Sequence, residues 1–337
     1  MLDTIGLFHL EGSSRFPKPD IKRPVKPWIL LYVPKGSFNM FNFYNNYSRS
    51  PLAGPLLMFS SALSFTGHSI VIKLMGPRFS VWDIAFYRFF GGLVLLIAIF
   101  GRHKNPFKGH NIRLLIIRGC TGSVTFLCLI AAIRMLPVST AIVIFYSFPA
   151  FAAVFAFLIY KESISKFEIT CIAVVLLGVM ILFDFKLEGG WLGKTLSLLA
   201  GAFAGVTITF IKELRAKNDP AIIYLYFCVI GSLVTFPVFI SKPLIPATQM
   251  EWFLCAGLIL FSLAGQLLMN QGFLYCKSWE GGLFLSSEVI FTTLIGIVFF
   301  HDLVTWRFWI GSLLIVGSVM LLNLGNMKGS VQEIPGS

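Results

Sequence analysis

Seven polar side chains lie inside stretches of sequence that are otherwise almost entirely apolar. They are His68, Arg88, Arg118, Tyr146, Gln266, Asn270 and Glu288. The most isolated is Glu288, because the stretch LFLSSEVIFTTLIGIVFF around it contains no other charged residue. Side chains of these types can bind a proton, an ion or the complementary charge of a small molecule. What they do here depends on the environment that the apolar stretches create.

The apolar stretches have the length and composition of membrane-spanning helices. The 337-residue chain is 56% hydrophobic and 12% charged, with a mean hydropathy of +0.82, whereas soluble domains carry about 25% charged residues. Apolar runs of about 17–25 residues, enough to span a bilayer, recur along the chain. There are ten, at 55–75, 81–100, 112–133, 138–160, 168–184, 194–212, 220–240, 252–275, 280–300 and 306–324. We therefore predict an all-α integral membrane protein with ten transmembrane helices.

Counting along these helices, at about 1.5 Å per residue, gives each polar group an approximate depth. Glu288 lies near the middle of the ninth helix, and Arg118 is expected at a similar depth in the third. Gln266 and Asn270 are spaced i, i+4 on one face of the eighth helix, in the same inner half of the membrane. A charge at this depth costs about 2.5–3.5 kcal/mol on insertion scales and usually has a function.

Glu288 and Arg118 have a structural interpretation as well as a functional one. They could form a permanent internal salt bridge. Alternatively, Glu288 could bind a proton on one side of the membrane and release it on the other, or it could meet the ammonium group of a solute whose carboxylate faces Arg118. Gln266 and Asn270 could contribute to such a site, or they could only hydrogen-bond neighbouring helices.

Three further polar residues have the same two kinds of interpretation. Arg88 and His68 are expected nearer the outer face of the membrane, and Tyr146 precedes Pro149 in the fourth helix. Arg88 could belong to the site or could extend towards lipid headgroups. His68 could be a hydrogen-bonded histidine of the protein core.

Charge in the loops predicts how the chain is oriented. If the N-terminus is inside, eighteen Lys and Arg residues lie on the inner side, the N-terminal tail included, and seven on the outer side, which favours cytoplasmic N- and C-termini. We interpret 1–50 as a disordered basic cytoplasmic tail, 55–184 and 194–324 as two five-helix units, and 325–337 as a cytoplasmic tail. Met1 and Met40 both remain candidates for the start. Short loops and the absence of a cleavable signal favour a bacterial cytoplasmic membrane.

A shift of 140 residues aligns the two five-helix units with each other. YKESISKFEITC then falls on FHDLVTWRFWIG. Because five helices is an odd number, the second unit must be inverted relative to the first, as in secondary transporters with a site near the midplane. The polar groups are not repeated, since Glu288 aligns with Phe148 and Arg88 aligns with Cys228. A solute has no two-fold symmetry, so we interpret the unrepeated polar set as the candidate site.

Two corresponding segments carry a resemblance to a known family. FPAFAAVFAFLIYKE runs from Phe148 to Glu162, and EVIFTTLIGIVFFHD runs from Glu288 to Asp302. In composition and spacing both resemble the fourth-helix pattern of the EamA-type drug/metabolite transporters. They depart from it at Phe148, where the pattern has an acid, and at Val289, where it has proline. The resemblance covers about 55–325 and implies ten helices in two inverted repeats.

The function expected from these features is secondary active transport of a small polar metabolite, coupled to protons or to exchange. An amino acid or a derivative fits the opposite charges, and the resemblance extends this to S-adenosylmethionine-like solutes through the segment FYRFF and the ninth-helix glutamate. The alternative is export of amphipathic drugs or toxic metabolites. The sequence has no HExxH, GxSxG or nucleotide-binding loop, so no enzyme activity is expected.

Other partners and cofactors are not expected, apart from the lipid bilayer. The net charge of +12 is scattered between apolar runs, which does not favour nucleic acid binding. The six cysteines show no CxxC spacing, so neither a metal nor a disulfide is predicted. A homodimer is compatible with the sequence.

Overall fold

The computed structural model describes residues 53–100, 108–160, 166–183, 190–215, 217–275, 284–302 and 305–331, and these parts contain helices and connecting turns without strands. The predicted tail at 1–50 lies outside the described residues. The helices are α1 Ala53–Leu74, α2 Val81–Phe100, α3 Ile112–Met135, α4 Val138–Phe145, α5 Phe148–Tyr160, α6 Lys166–Phe183, α7 Trp191–Arg215, α8 Pro220–Ser241, α9 Gln249–Tyr275, α10 Ser287–Phe300 and α11 Trp306–Val331.

Seven helical segments of the described chain are long and apolar enough to cross a membrane, with α4 and α5 counted together as one. The helices α6 and α10 contain shorter apolar segments. Each of the ten predicted runs contains a helix, but α11 continues to Val331, beyond the predicted boundary at 324. The apolar run ends before the helix does, because helical hydrogen bonds do not require an apolar sequence.

The fourth predicted helix is broken at Tyr146 and Ser147, between α4 and α5. Pro149 causes this break, since it has no N–H to donate to the carbonyl of Phe145 and its ring disfavours a continuous helix. The turn is closed instead by a tighter bond of 3.1 Å from the backbone N–H of Ser147 to the carbonyl of Ile144. The prediction of one continuous helix over 138–160 was therefore wrong at its centre.

The ninth predicted helix is also interrupted, at Ser286, just before α10. The backbone N–H of Val289 bonds the carbonyl of Ser286 at 3.1 Å, in the tight geometry of a helix start. The carbonyl of Leu285 is thereby left for another donor. In the 140-residue register Ser286 aligns with Tyr146, so the two breaks occupy corresponding positions. Glu288 consequently lies in the first turn of α10, and not in the middle of a continuous helix as predicted.

Small residues bring α7 close to the first break. A Cβ atom on Gly201 would lie 3.0 Å from the carbonyl oxygen of Phe145, and one on Gly205 would lie 2.8 Å from the backbone nitrogen of Ala152. Both glycines lie in the sequence GAFAG, in which the small residues permit close helix packing. The glycines let α7 pack directly against the backbone of α4 and α5.

Charged side chains at several helix ends have local partners. Arg78 forms an ion pair of 2.7 Å with Glu251, which joins the start of α2 to the start of α9. Asp302, after the C-terminus of α10, accepts from the hydroxyl of Ser139 at 2.8 Å and thus caps the N-terminus of α4.

Candidate functional site

Glu288 and Tyr146 meet where the two broken helices face each other. The hydroxyl of Tyr146 lies 2.8 Å from Oε2 of Glu288 and 2.6 Å from the carbonyl oxygen of Leu285. Ser69 of α1 forms a further hydrogen bond with the Glu288 side chain. Both Tyr146 and Glu288 are buried. A tyrosine at one break therefore binds the free carbonyl and the carboxyl group of the other.

The salt bridge between Glu288 and Arg118 is not formed. Within the described residues neither side chain has an oppositely charged group at salt-bridge distance. Arg118 is 2% exposed, and its Nη2 instead donates to Oε1 of Gln266 at 3.2 Å. Its Nε and Nη1 are buried and have no hydrogen-bond partner among the described residues. The sequence missed this because similar depth does not fix which face of a helix a side chain occupies.

Arg88 is enclosed by aromatic rings in the protein interior. Its guanidinium carbon lies 3.5 Å from the ring centroid of Phe126, 4.9 Å from that of Phe227 and 5.0 Å from that of Phe89. The residue is 2% exposed, and its Nε and Nη1 have no hydrogen-bond partner. The interpretation that Arg88 extends towards lipid headgroups is therefore wrong.

Arg88 and Arg118 meet at one ring, although the sequence placed Arg88 nearer the outer face. The guanidinium carbon of Arg118 lies 4.5 Å from the centroid of Phe227, whose ring Arg88 also contacts. Counting residues gives the depth of a Cα atom and ignores both helix tilt and the reach of a long side chain. Because an arginine side chain is long, two guanidinium groups can meet even when their Cα atoms lie at different depths.

His68 and Asn270 are buried with incomplete hydrogen bonding. The ring of His68 packs against Phe126 at a centroid distance of 5.2 Å, and its Nε2 has no hydrogen-bond partner. This does not fit a fully hydrogen-bonded core histidine. Asn270 donates to the carbonyl of Pro220 at 3.5 Å, while its Oδ1 has no partner. Asn270 thus contacts a neighbouring helix only weakly and keeps a free acceptor.

Four residues near the site were not singled out from the sequence. Ser69 contacts Glu288, Phe126 and Phe227 enclose the arginines, and Tyr224 hydrogen-bonds to Ser262 at 3.2 Å beside Gly92 of α2. Serine, tyrosine and phenylalanine are common in membrane helices, so only the packing distinguishes these from the rest. Across the described ranges, no group of three or more His, Cys, Asp and Glu residues could hold a metal ion.

Several described helices of membrane-spanning length and apolar composition indicate a multi-pass membrane protein. The model of the EamA-like transporter family matches residues 52–184 and, a second time, residues 191–324. The chain belongs to this family, whose members named below are transporters and not enzymes. Each match covers one of the two units related by the 140-residue shift.

Curated relatives extend over most of the chain. The pseudopaline exporter CntI of Pseudomonas aeruginosa is 27% identical over 274 residues, which cover 80% of this chain and 93% of that protein. Human solute carrier family 35 member G1 is 26% identical over 80% of this chain and 79% of its own length. The S-adenosylmethionine uptake transporter of Rickettsia felis is 24% identical over 58% of this chain and 66% of its own.

A protein of known crystal structure has a similar fold. The match has a TM-score of 0.60 at 15% sequence identity and covers 83% of this chain and 99% of the other. At this identity the likeness establishes the fold alone.

Proposed function

We propose that the protein is a secondary active carrier of a small polar metabolite, working by alternating access. In this proposal ten helices cross the membrane as two inverted repeats, at 55–184 and 194–324, with both termini on the cytoplasmic side of a bacterial inner membrane. The two matches to the family model and the odd number of predicted helices per match support the inverted arrangement.

The observation that carries the proposal is that charges of both signs are buried without ionic partners. Arg118, Arg88 and Glu288 are 2%, 2% and 4% exposed, and none has an opposite charge within salt-bridge distance in the parts of the chain that the structure describes. A buried uncompensated charge is strongly unfavourable. A solute that carries both charges would supply the missing partners each time it binds.

The hydrogen bonds at Tyr146 support proton coupling through Glu288. A phenol has one proton, and a backbone carbonyl can only accept. When the Tyr146 hydroxyl donates to Leu285, the 2.8 Å contact with Glu288 is a hydrogen bond only if the carboxyl group carries a proton and donates it. The first turn of α10 favours a negative charge at the same position. Glu288 is thus placed where both its protonated and its charged form have a stabilising partner.

The relatives are consistent with a polar, amino-acid-like solute. One is named as an exporter of pseudopaline and another as an uptake transporter of S-adenosylmethionine. We propose an amino acid or a derivative, including S-adenosylmethionine-like solutes. The ammonium group would face Glu288, and a carboxylate would face Arg118 and its partner Gln266.

The alternative, export of amphipathic drugs, has one supporting observation. A cavity of about 320 Å³ opens between α1, α9 and α10, with almost wholly apolar walls. It is lined by Leu63, Thr66, Gly67, Ile70, Phe261, Phe291, Leu294 and Ile295. The buried charges do not line this cavity, so we favour the polar solute.

The test is uptake into proteoliposomes that contain the purified full-length protein. Labelled amino acids, S-adenosylmethionine and a cationic dye are offered with and without an imposed pH gradient. Wild type is compared with Glu288→Gln and with Glu251→Gln. The latter is a matched control, because it makes the same substitution at a helix end where Arg78 is the partner.

We expect gradient-driven uptake of a polar solute, lost in Glu288→Gln and retained in Glu251→Gln. Uptake that requires unlabelled solute inside would identify an exchanger, with Glu288 as a solute ligand. Uptake of the dye alone would favour the alternative. No transport of any polar solute by folded protein would contradict the proposed function.

A further inference from the structure

The aromatic rings around Arg88 contact the faces of its guanidinium group and leave its edges, which carry the N–H donors, uncovered. Phe89 and Phe227 are perpendicular, with centroids 5.0 Å apart, and Phe126 crosses Phe89 at 72°. The Arg88 guanidinium lies against the faces of these rings. Stacking of this kind stabilises a cation but uses none of its N–H groups. The donors in the guanidinium plane therefore remain available.

On each of the two arginines, two guanidinium nitrogens donate no hydrogen bond within the described residues. In the described part of the chain, no hydrogen-bond partner lies next to the buried Nε and Nη1 of Arg88 or the buried Nε and Nη1 of Arg118. Nη2 of Arg118 donates to a neutral acceptor, the amide oxygen of Gln266, at 3.2 Å. Each guanidinium thus keeps N–H donors at two of its nitrogens, and these can donate charge-assisted hydrogen bonds to the oxygens of a carboxylate or phosphate.

The two positive charges also repel each other. Both guanidinium groups contact the ring of Phe227, and the charge on Arg88 acts directly on Arg118. His68, packed on the other aromatic wall at Phe126, adds no negative charge. A single carboxylate would neutralise only half of the positive charge at this place.

We propose that Arg88 and Arg118 form a site for a doubly negative group, so that the preferred solute carries two carboxylates or a phosphate monoester. This inference rests on the proposed carrier function and narrows its solute class. Instead of a single carboxylate facing Arg118, the solute would present two negative charges, shared between the guanidinium groups of Arg88 and Arg118.

The site adjoins the Glu288 carboxyl group through consecutive residues of α1. His68 packs on Phe126, against which Arg88 stacks, while Ser69 hydrogen-bonds to Glu288. A solute with an ammonium group at one end and two negative charges at the other can therefore contact both places. The charge pattern is that of an acidic amino acid, an N-carboxyalkyl amino acid or a phosphorylated amino acid.

The test compares probes that differ only in their second negative group. Binding to the purified full-length protein in detergent is measured for glutamate against glutamine, succinate against succinamate, and phosphoserine against serine. In wild type, we expect the more negative member of at least one pair to bind at least about tenfold more tightly. The carboxylate pairs and the phosphate pair distinguish the two sources of the double charge.

The variants are Arg88→Gln and Arg118→Gln, with Arg78→Gln as a matched control at an exposed helix end. Each interior variant should reduce the preference within the pair to about twofold or less, while Arg78→Gln should leave it unchanged. If the wild-type protein bound both members of every probe pair equally, the proposal of a doubly negative site would be wrong. The proposal would also be wrong if Arg88→Gln or Arg118→Gln weakened the binding of both members of a probe pair by the same factor.

A second measurement separates binding from a structural role of the arginines. Arg88→Met removes a buried charge that has no ionic partner, so the unfolding temperature of the unliganded protein should rise. A fall in that temperature would indicate a structural arginine and would contradict the proposal.

The failures of the two proposals are distinguishable. If proteoliposomes transport a monocarboxylate amino acid but no probe pair shows a preference, the carrier function stands and the doubly negative site is wrong. If a preference is found and lost in the interior variants, but no solute is transported, the site stands and the carrier function is wrong.

Discussion

Charged residues at the helix ends have local partners, whereas charged residues in the interior have no ionic partner in the described part of the chain. At the ends, Arg78 pairs with Glu251, and Asp302 accepts from Ser139. In the interior, Arg88 and Glu288 are almost completely buried and have no ionic partner in the described part of the chain. Local pairing at the ends fixes one arrangement of the helices. The unpaired charges in the interior can be neutralised by a bound proton or solute.

The largest expected effect comes from testing whether Glu288 and Arg118 act as a pair. Glu288→Gln and Arg118→Gln should each reduce uptake to the level of empty liposomes. The double variant should be no more active than either single variant, and its change in unfolding temperature should equal the sum of the two single changes, because the two side chains do not contact each other. Uptake and unfolding temperature of all three proteins provide the measurement. Rescue of folding in the double variant would instead identify a structural salt bridge.

Tyr146→Phe tests the contact between the two breaks and should have a smaller effect. It removes the hydroxyl that binds the Leu285 carbonyl and the Glu288 carboxyl group. A buried acceptor left without its donor costs about 1–3 kcal/mol, so we expect uptake to fall by roughly 5- to 150-fold. The initial rate of gradient-driven uptake measures this. An unchanged rate and unchanged dependence on the gradient would show that the phenol is not part of the proton pathway.

Two glycine substitutions separate close packing from helix propensity. A Cβ atom on Gly205 would lie 2.7 Å from Cβ of Phe151, whereas a Cβ atom on Gly317 of α11 would meet no described atom within 4 Å. Gly205→Ala should therefore destabilise the protein by about 1–3 kcal/mol through overpacking. Gly317→Ala is the matched control and should not lower stability. Thermal unfolding in detergent compares the two, and equal effects would contradict direct packing of α7 on the first break.

The smallest effect is expected at the surface pair. Exposed ion pairs contribute little, so Arg78→Gln should leave the uptake rate within about twofold of wild type. High salt should reproduce the substitution, because exposed charges are screened. A large loss of uptake would show that the contact between the starts of α2 and α9 has a role in the transport cycle.

Much of the helical organisation could be predicted from the sequence. The apolar runs locate the helices, because the bilayer requires both a minimum length and an apolar surface. Pro149 provides a signal for the break between α4 and α5. The break at Ser286 has no such signal, since Val289 occupies the aligned position and the interruption is visible only in the backbone hydrogen bonds.

The candidate site was predicted by residue type but not by its contacts. Burial of a charge in an apolar run identifies Glu288, Arg118 and Arg88 from the sequence. The choice of partner depends on helix rotation and tilt, which tertiary packing determines. The sequence therefore suggested a pair of Glu288 with Arg118, whereas the structure pairs Glu288 with Tyr146 and brings the two arginines together.

The short join between α3 and α4 has a consequence for how the protein is made. Only Leu136 and Pro137 separate these helices, a join short enough for the two to form a hairpin. At its tip, Nζ of Lys73 donates to the carbonyls of Ile133 and Leu136 at 3.1 and 2.6 Å. Lys73 lies in the last turn of α1, which precedes α3 and α4 along the chain and is therefore synthesised before them. The hairpin is thus synthesised after the residue that satisfies its free carbonyls, and the order of the chain is also a workable order of membrane assembly.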